Sequence, residues 1–249
     1  MQNIWTIARR EYRHYFNSPI AYIVALLILL TLGIIFIINM LQAVTNSLYY
    51  QAPPPDTRIV VSPLAFLFVL ATPAITMRLI SDEQRMGTME LLLTAPVREW
   101  ELVIGKWFGA FLFILSIIGI TLIYPLIMHY VLIKPGIDQG VMISGYIGVI
   151  LVAAAFLSIG TAMSAFFQNQ FAAFFATLVI LVFFWWMVGW PANILPVGAD
   201  FFRYLDMSDH FYNTMSMGTI ALSDLVYYLS LTGLGLFLGS VAVEIRRWK

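Results

Sequence analysis

The chain has 249 residues, of which 61% are hydrophobic and 10% are charged, whereas ordinary soluble domains carry about 25% charged residues. A water-soluble fold of this length could not bury that much apolar surface, so the composition indicates an integral membrane protein. Thirteen basic and thirteen acidic side chains cancel, which leaves no broad positive field for binding nucleic acid. The absence of cysteine excludes disulfide frameworks, thiolate metal sites and cysteine nucleophiles.

Residues 1–18 predict an amphipathic helix that lies in the inner membrane interface. Aromatic and small apolar residues recur at helical spacing, while three arginines occupy the other faces. An apolar face beside a basic face is typical of helices that lie on a membrane surface. The residues expected to define this interfacial helix are Trp5, Arg9, Arg10 and Arg13.

Six stretches are apolar enough to span a bilayer, since a span needs about 20 such residues. Backbone polar groups in lipid must be bonded within their own segment, so these stretches are expected to be helices. The fold class is therefore predicted to be all-α, a polytopic membrane protein with six transmembrane helices. The stretches are residues 20–41, 60–80, 107–133, 142–167, 171–190 and 225–243. Because only residues 168–170 separate the fourth and fifth, that pair is either a tight hairpin or one broken element that does not fully cross.

The positions of lysine and arginine predict the orientation. With a cytoplasmic N-terminus, ten of these residues lie inside and three outside, and this bias is typical of cytoplasmic segments. The inside set is Arg9, Arg10, Arg13, Arg78, Arg85, Arg98, Lys106, Arg246, Arg247 and Lys249. The outside set is Arg58, Lys134 and Arg203. Six spans with both termini in the cytoplasm fit this distribution.

Residues 81–105, between the second and third spans, are the most charged part of the chain. Ser81 and Gln84 fit a capping box at the start of a helix, and Pro96 ends that helix. A second short helix is expected to resume after Pro96 and to run into the third span. A solvated inner loop is the simpler interpretation, but the patterned helices favour a helical hairpin against which a cytosolic partner docks.

The segment 191–224 is predicted to be an outer loop with one or two short helices packed on the outer mouth. Ser208 and Ser223 are suitable helix caps. Four acids make the loop mildly acidic: Asp200, Asp206, Asp209 and Asp224. In the sixth span, Gly235 and Gly239 predict close packing against another helix.

The sequence contains no motif for nucleotide hydrolysis or for hydrolytic catalysis. Gly105-Lys106, its only Gly-Lys pair, lacks the upstream glycine and the following serine or threonine of a P-loop. HExxH, GxSxG and SxxK motifs do not occur. Ionisable groups in the spans are limited to Arg78 and His129 near span ends, which argues against coupling to an ion.

Two metal hypotheses are weaker than their structural alternatives. The histidines, at positions 14, 129 and 210, are far apart in sequence, which argues against a shared metal site. Met207, Met215 and Met217 raise a copper-path hypothesis, although methionines scattered in an apolar protein more often fill gaps in packing.

The segment 77–107, MRLISDEQRMGTMELLLTAPVREWELVIGKW, resembles the hallmark of the type 2 ABC permease family. In that hallmark an acid, a base, Gly-Thr, Glu, a leucine run and Pro precede a Gly-Lys at the third span. The matching residues are Glu83, Arg85, Gly87, Thr88, Glu90, Leu91, Leu92, Leu93, Pro96, Gly105 and Lys106. The N-terminal helix ending in Ser18-Pro19 and part of the 191–224 loop are similar to the subgroup containing gliding-motility permeases. The residues in and after that loop are Ser208, His210, Phe211, Gly218, Asp224, Tyr227 and Tyr228.

This resemblance implies the permease subunit of an ATP-driven transporter in the plasma (inner) membrane, usually an exporter. Two six-helix permeases would pair, as homodimer or heterodimer, above two ATP-binding subunits. ATP and Mg would be held by those subunits, so this chain would carry no cofactor and would not be an enzyme. The residues expected to meet the ATPase are Glu83, Arg85, Gly87, Thr88 and Glu90.

Two other functions remain open. A membrane scaffold or assembly factor could anchor a cytosolic complex through the same docking surface without moving a solute. An intramembrane enzyme ranks third because no catalytic constellation occurs. The substrate is left open, since substrates in the resembling family range from polysaccharides and lipids to drugs and proteins.

Overall fold

The computed structural model describes residues 2–50, 55–87, 97–133, 136–194 and 198–247. Over these residues the regular elements are all helices, which confirms the all-α fold class. The α-helices are α1 (Gln2–Asn17), α2 (Pro19–Tyr50), α3 (Arg58–Thr76), α4 (Ser81–Arg85), α5 (Glu99–Thr121), α6 (Ile123–Ile127), α7 (Gln139–Phe166), α8 (Gln170–Val182), α9 (Ala199–Leu205), α10 (Met207–Tyr212) and α11 (Leu222–Arg247). Two π-helical segments, Met128–Leu132 and Phe183–Met187, follow α6 and α8, and two 3-10 helices cover Trp190–Asn193 and Met215–Met217.

Six helical stretches in the described ranges are long and apolar enough to cross a membrane. They are Pro19–Asn46, Arg58–Arg85, Glu99–Leu132, Gln139–Phe166, Gln170–Ala192 and Leu222–Ile245. Each overlaps one predicted stretch, which confirms the six predicted spans. The third begins earlier than predicted, because α5 is one helix from Glu99 onward. Its start is fixed where Glu101 Oε2 accepts a hydrogen bond from the Arg98 backbone N at 3.1 Å.

Helices α7 and α8 form a tight antiparallel hairpin, one of the two arrangements that the sequence left open. Three residues connect them, and the Asn169 side chain caps α8 by accepting a hydrogen bond from the Phe171 backbone N at 2.9 Å. Trp185, beyond the end of α8, packs on Phe156 of α7 with ring centroids 5.4 Å apart. Contact between residues so far from the connection requires the chain to turn back along α7.

Helix α7 lies at the centre of the bundle, where it packs against α3, α5, α8 and α11. The most apolar parts of the second and fourth spans are 61% buried, against 22% and 28% for the first and fifth. Glycines bring α11 close to α7: a Cβ on Gly235 would lie 2.8 Å from the carbonyl carbon of Ser158. One on Gly239 would lie 3.2 Å from Val103 Cγ1 of α5. These contacts confirm the predicted close packing at both glycines.

Five buried hydroxyl groups in the described parts of the spans donate to carbonyl oxygens of their own helices. The pairs are Thr76 with Thr72, Ser158 with Ala155, Thr161 with Leu157, Thr177 with Ala173 and Thr232 with Tyr228, at 2.7–2.8 Å. A hydroxyl in hydrocarbon needs a partner, and the preceding turn of the same helix supplies one.

The 191–224 loop contains α9 and α10, but the predicted caps are wrong. Asp206 caps α10: its Oδ1 accepts hydrogen bonds from the Ser208 backbone N at 2.9 Å and from the Ser208 hydroxyl at 2.7 Å. A carboxylate accepts these bonds more strongly than a hydroxyl would. Ser223 is not a cap either, since α11 begins at Leu222.

Candidate functional site

Two glycines of α5 provide the surface against which α1 packs. A Cβ on Gly105 would lie 2.8 Å from Ile7 Cβ, and one on Gly109 would lie 2.6 Å from Glu11 Cβ. Small residues one turn apart allow two helix backbones to approach this closely. The interfacial helix therefore does not rest on lipid alone but packs along the first half of α5.

Lys106 lies one residue after the first of these glycines and is almost completely buried, with 2% of its surface exposed. Its Nζ contacts three oxygens: the Leu79 carbonyl at 2.6 Å, Glu83 Oε1 at 2.8 Å and Glu11 Oε1 at 3.1 Å. An ammonium has three N–H donors, so this set matches its full donor capacity. Burying a charge is costly unless it is paired and hydrogen-bonded in this way. Glu11, Glu83 and Lys106 together form the charged junction, which joins α1 and α4 to α5.

Glu11 is ionised in the charged junction although it is buried. Burial raises the pKa of this carboxyl, but the ammonium of Lys106 and then the guanidinium of Arg10 outweigh burial, and the pKa lies below its ordinary value. Arg10 Nη2 approaches Glu11 at 3.2 Å and Glu83 at 3.5 Å. Because the Arg10 side chain is 59% exposed, its ion pairs contribute little beside those of Lys106.

The other side of α4 is bonded to the hairpin of α7 and α8. The Ser164 hydroxyl oxygen accepts hydrogen bonds from the backbone N of Ile80 at 3.0 Å and of Ser81 at 3.1 Å. The Gln84 side chain donates to the Ala165 carbonyl at 2.8 Å. Helix α4 is thus held between two helix pairs, α1 with α5 and α7 with α8.

Gln170, the first residue of α8, adds a third contact to this side. Its amide nitrogen donates to Asp82 of α4, and its amide oxygen accepts from Arg78 Nε at 3.3 Å. The start of α8 therefore contacts both α4 and the turn that precedes it.

The capping box predicted for Ser81 and Gln84 is wrong. The Ser81 hydroxyl donates to the Met77 carbonyl, and the Gln84 side chain reaches Ala165. Both side chains bond to groups outside α4: Met77 lies one turn earlier in the chain, and Ala165 belongs to α7, which packs against α4. The part of the segment that continues into the third span behaves as predicted, since α5 runs without a break from Glu99.

The structure describes three of the five predicted ATPase-docking residues. Glu83 faces the buried ammonium, with 14% of its side chain exposed, while Arg85 and Gly87 are exposed at the end of α4. Gly87 has φ 68°, a left-handed conformation that favours glycine. Thr88 and Glu90 lie outside the described residues.

The residues predicted to define the interfacial helix share one property in the structure. All four are exposed, while Ala8, Glu11 and Tyr15 on the same helix are buried. The four are Trp5, Arg9, Arg10 and Arg13. The buried face of α1 carries the acid that pairs with Lys106, and the exposed face carries the bases.

A second polar cluster fastens the 191–224 loop to α11. His210 Nε2 donates to the Tyr204 carbonyl at 3.0 Å, and Nδ1 bonds to Asp224 Oδ1 at 2.8 Å. The imidazole stacks on Tyr227, with ring centroids 4.1 Å apart. Asp224 is 2% exposed, so the imidazole is the partner that offsets its burial. His210, Asp224 and Tyr227, which the sequence resemblance singled out, are in contact here.

The outer methionines are not arranged as a group of ligands. Met207 and Met215 are fully buried, and Met215 packs on Gly148 of α7, whereas Met217 is 50% exposed. The two buried side chains fill the apolar core, as methionine commonly does. His14, His129 and His210 lie on three separate elements: α1, the first π-helical segment and α10.

Comparison with known proteins identifies the family. A family model described as "ABC-2 family transporter protein" matches residues 5–246, nearly the whole chain. No curated protein matches the chain. Membrane subunits of this family are not ATPases and carry no cofactor, and the family implies ATP-binding partner subunits. The chain therefore belongs to the ABC-2 transporter family, as a multi-pass membrane component.

Proposed function

We propose that this chain is the permease subunit of an ATP-driven exporter, and that it works as a dimer with two ATP-binding subunits beneath it. The observation that carries the proposal is the double attachment of α4, to α5 through Glu83 and Lys106 and to α7 through Ser164 and Gln84. Because α4 is bonded to α5 on one side and to α7 on the other, a displacement of α4 is transmitted to both helices. It is therefore suited to receive force from a nucleotide-driven partner.

The coupling step needs only rigid helices and the two attachments of α4. Closure of the ATP-binding subunits displaces α4 and the segment that follows it. The charged junction passes this displacement to α5, which extends as one helix to Thr121, and the hairpin of α7 and α8 receives it through the side chain of Ser164. Small shifts at an effector site become larger rearrangements when packed elements have two discrete arrangements.

The proposed docking surface consists of the exposed end of α4 and the residues that follow it. Arg85 and Gly87 are exposed there, and Thr88 and Glu90 complete the predicted set. Glu83 lies beneath this surface, where its carboxylate pairs with the ammonium of Lys106.

The proposed organisation is a single permease domain over residues 1–249. Within it, residues 1–18 form the interfacial helix, 81–105 the coupling hairpin and 191–224 the outer loop. The distribution of lysine and arginine supports cytoplasmic termini in the plasma (inner) membrane. The gliding-motility subgroup is proposed from the sequence resemblance in and after the 191–224 loop, which includes His210, Asp224 and Tyr227.

The second permease subunit, identical or different, would pack on the least buried spans. The most apolar parts of the first and fifth spans are 22% and 28% buried, so they offer the widest free surfaces. A path between two protomers would then be bordered by helices that are held least tightly within each protomer.

Affinity purification of the tagged chain from its native membrane, in mild detergent, tests the proposal. We expect a P-loop ATPase to be recovered in stoichiometric amount and to hydrolyse ATP in the complex. A Glu90→Lys variant should insert normally but lose the ATPase or uncouple its turnover, while the matched Glu244→Lys variant at the end of α11 should not. An intact, dimeric chain without an ATPase would instead support the membrane scaffold.

A further inference from the structure

A cleft of about 390 Å³ opens beside the charged junction, between α1, the start of α2, the end of α3, and α4. One wall is apolar and consists of Ile20, Ala21, Val24, Ala74 and Ile75. These residues belong to the adjoining ends of the first two spans, so this wall lies where the hydrocarbon of the bilayer begins.

The mouth of the cleft is basic. Arg10, His14 and Arg78 line it, and all three are exposed. Within the described part of the chain Arg78 forms no ion pair, and its Nε bonds to the neutral amide of Gln170. Its charge is therefore available to an anion from outside.

The acids that line the cleft are already bonded within the protein. Glu11 and Glu83 pair with the buried ammonium of Lys106, and Asp82 accepts a hydrogen bond from Gln170. Glu11 and Glu83 also pair with the Arg10 guanidinium, at 3.2 and 3.5 Å, although the Arg10 side chain stays 59% exposed. An incoming anion therefore meets the exposed part of this guanidinium, together with that of Arg78, which forms no ion pair within the described part of the chain.

The combination of an apolar wall and a basic mouth at one membrane face matches a single class of ligand. We propose that the cleft binds the phosphodiester headgroup of a glycerophospholipid from the adjoining leaflet. Arg10 and Arg78 bind the phosphate oxygens, because guanidinium groups pair with phosphate through several N–H donors. The first carbons of the acyl chains lie against Val24 and Ala74. The volume falls within the roughly 300–1,000 Å³ of small-molecule sites.

A lipid in this cleft contacts α1, α3 and α4 at once. It therefore braces the same elements that the charged junction connects, from the membrane side. The site does not depend on the ATP-binding partner, so it can be tested on the full chain alone.

The test is a lipid titration of the purified, delipidated chain, followed by native mass spectrometry. We expect one dioleoyl phosphatidylglycerol per chain to bind at least tenfold more tightly than further copies. Dioleoylglycerol, which has the chains but not the phosphate, and glycerol phosphate, which has the phosphate but not the chains, should each bind at least tenfold more weakly. Equally tight binding of glycerol phosphate would overturn the proposal in favour of a soluble phosphate site.

Matched variants separate the cleft from general attraction to a basic helix. Arg10→Gln with Arg78→Gln should weaken the first lipid at least tenfold. Arg9→Gln with Arg13→Gln removes the same charge from exposed positions of α1 outside the cleft, and should change binding less than twofold. Equal losses of lipid affinity in the two double variants, or no loss of affinity in Arg10→Gln with Arg78→Gln, would overturn the assignment.

An uncharged variant covers the case in which the first pair disturbs folding. Ala74→Leu narrows the apolar wall without altering any charge, and should also weaken the first lipid. Unchanged affinity in this variant, with an unchanged thermal midpoint, would show that the acyl chains do not occupy the cleft.

Discussion

Replacement of Lys106 by methionine removes the buried ammonium that holds α1, α4 and α5 together. The ammonium contacts three oxygens at 2.6–3.1 Å, and its loss leaves the carboxylates of Glu11 and Glu83 without their main partner. Removing one member of a buried ion pair costs about 3–5 kcal/mol, because the remaining charge stays buried. We therefore expect Lys106→Met to lower the free energy of unfolding by about 4 kcal/mol, measured by reversible denaturation in mixed micelles.

Two further variants distinguish this cause from a loss of packing. Adding Glu11→Gln and Glu83→Gln to Lys106→Met should restore part of the loss, because two neutral amides neither repel each other nor require a cation. Arg85→Met, which removes an exposed base from α4, should change the free energy by less than about 0.5 kcal/mol. A loss below about 1 kcal/mol for Lys106→Met, or a triple variant no more stable than the single one, would refute the charged junction as a stabilising element.

Three further predictions follow from the same structure. The pKa of Glu11 is below its ordinary value of 4.5, so the ionised carboxylate stabilises the fold fully at neutral pH, and this stabilisation is lost as pH falls through the lowered pKa. The thermal midpoint should therefore fall more steeply below pH 4.5 in the native chain than in Glu11→Gln. Parallel curves of thermal midpoint against pH would contradict this. Gly235→Ala should lower the free energy of unfolding by about 2 kcal/mol, because its Cβ meets the backbone of α7. Gly233→Ala, with open space around it, should lower it by less than about 0.5 kcal/mol. Similar losses of stability in the two variants would argue against the close approach of α11 to α7. His210→Ala leaves the Asp224 carboxylate buried without its imidazole partner and should lower the free energy of unfolding by about 3 kcal/mol. The 191–224 loop should then be cleaved faster by proteases. An unchanged rate of proteolysis would show that other contacts hold the loop in place.

The six spans could be predicted because the signal is local: each is a long apolar run, and lipid leaves such a run no alternative to a helix. The third span was predicted to start at residue 107, because Glu99, Glu101 and Lys106 are charged and do not count toward an apolar run. A helix resuming after Pro96 and running into that span was expected, and α5 is that helix. The burial of Lys106 beside α1 could not be predicted. The orientation of the termini remains a prediction from charge distribution.

The charged junction was missed because nothing in the sequence connects its members. Lys106 counted as one more base on the inner side and Glu83 as a residue that meets the ATPase, while Glu11 had no assigned role. One signal was available: Gly105 and Gly109 stand four residues apart on the helix that carries Lys106. That spacing predicts a close helix neighbour, although it does not say which helix. The capping box at Ser81 failed because the Ser81 hydroxyl donates to the Met77 carbonyl one turn earlier in the chain, while the Gln84 side chain donates to Ala165 of α7.

The hydroxyl groups that bond within their own helices have a consequence for how the protein is made. Thr76 of α3 donates to Thr72, so this hydroxyl is satisfied before the ribosome has produced α7, against which α3 finally packs. The same holds for Thr161 and Thr177 on α7 and α8. These hydroxyls therefore need no neighbouring helix when their span leaves the insertion machinery, and assembly around α7 can be a separate, later step that proceeds within the lipid.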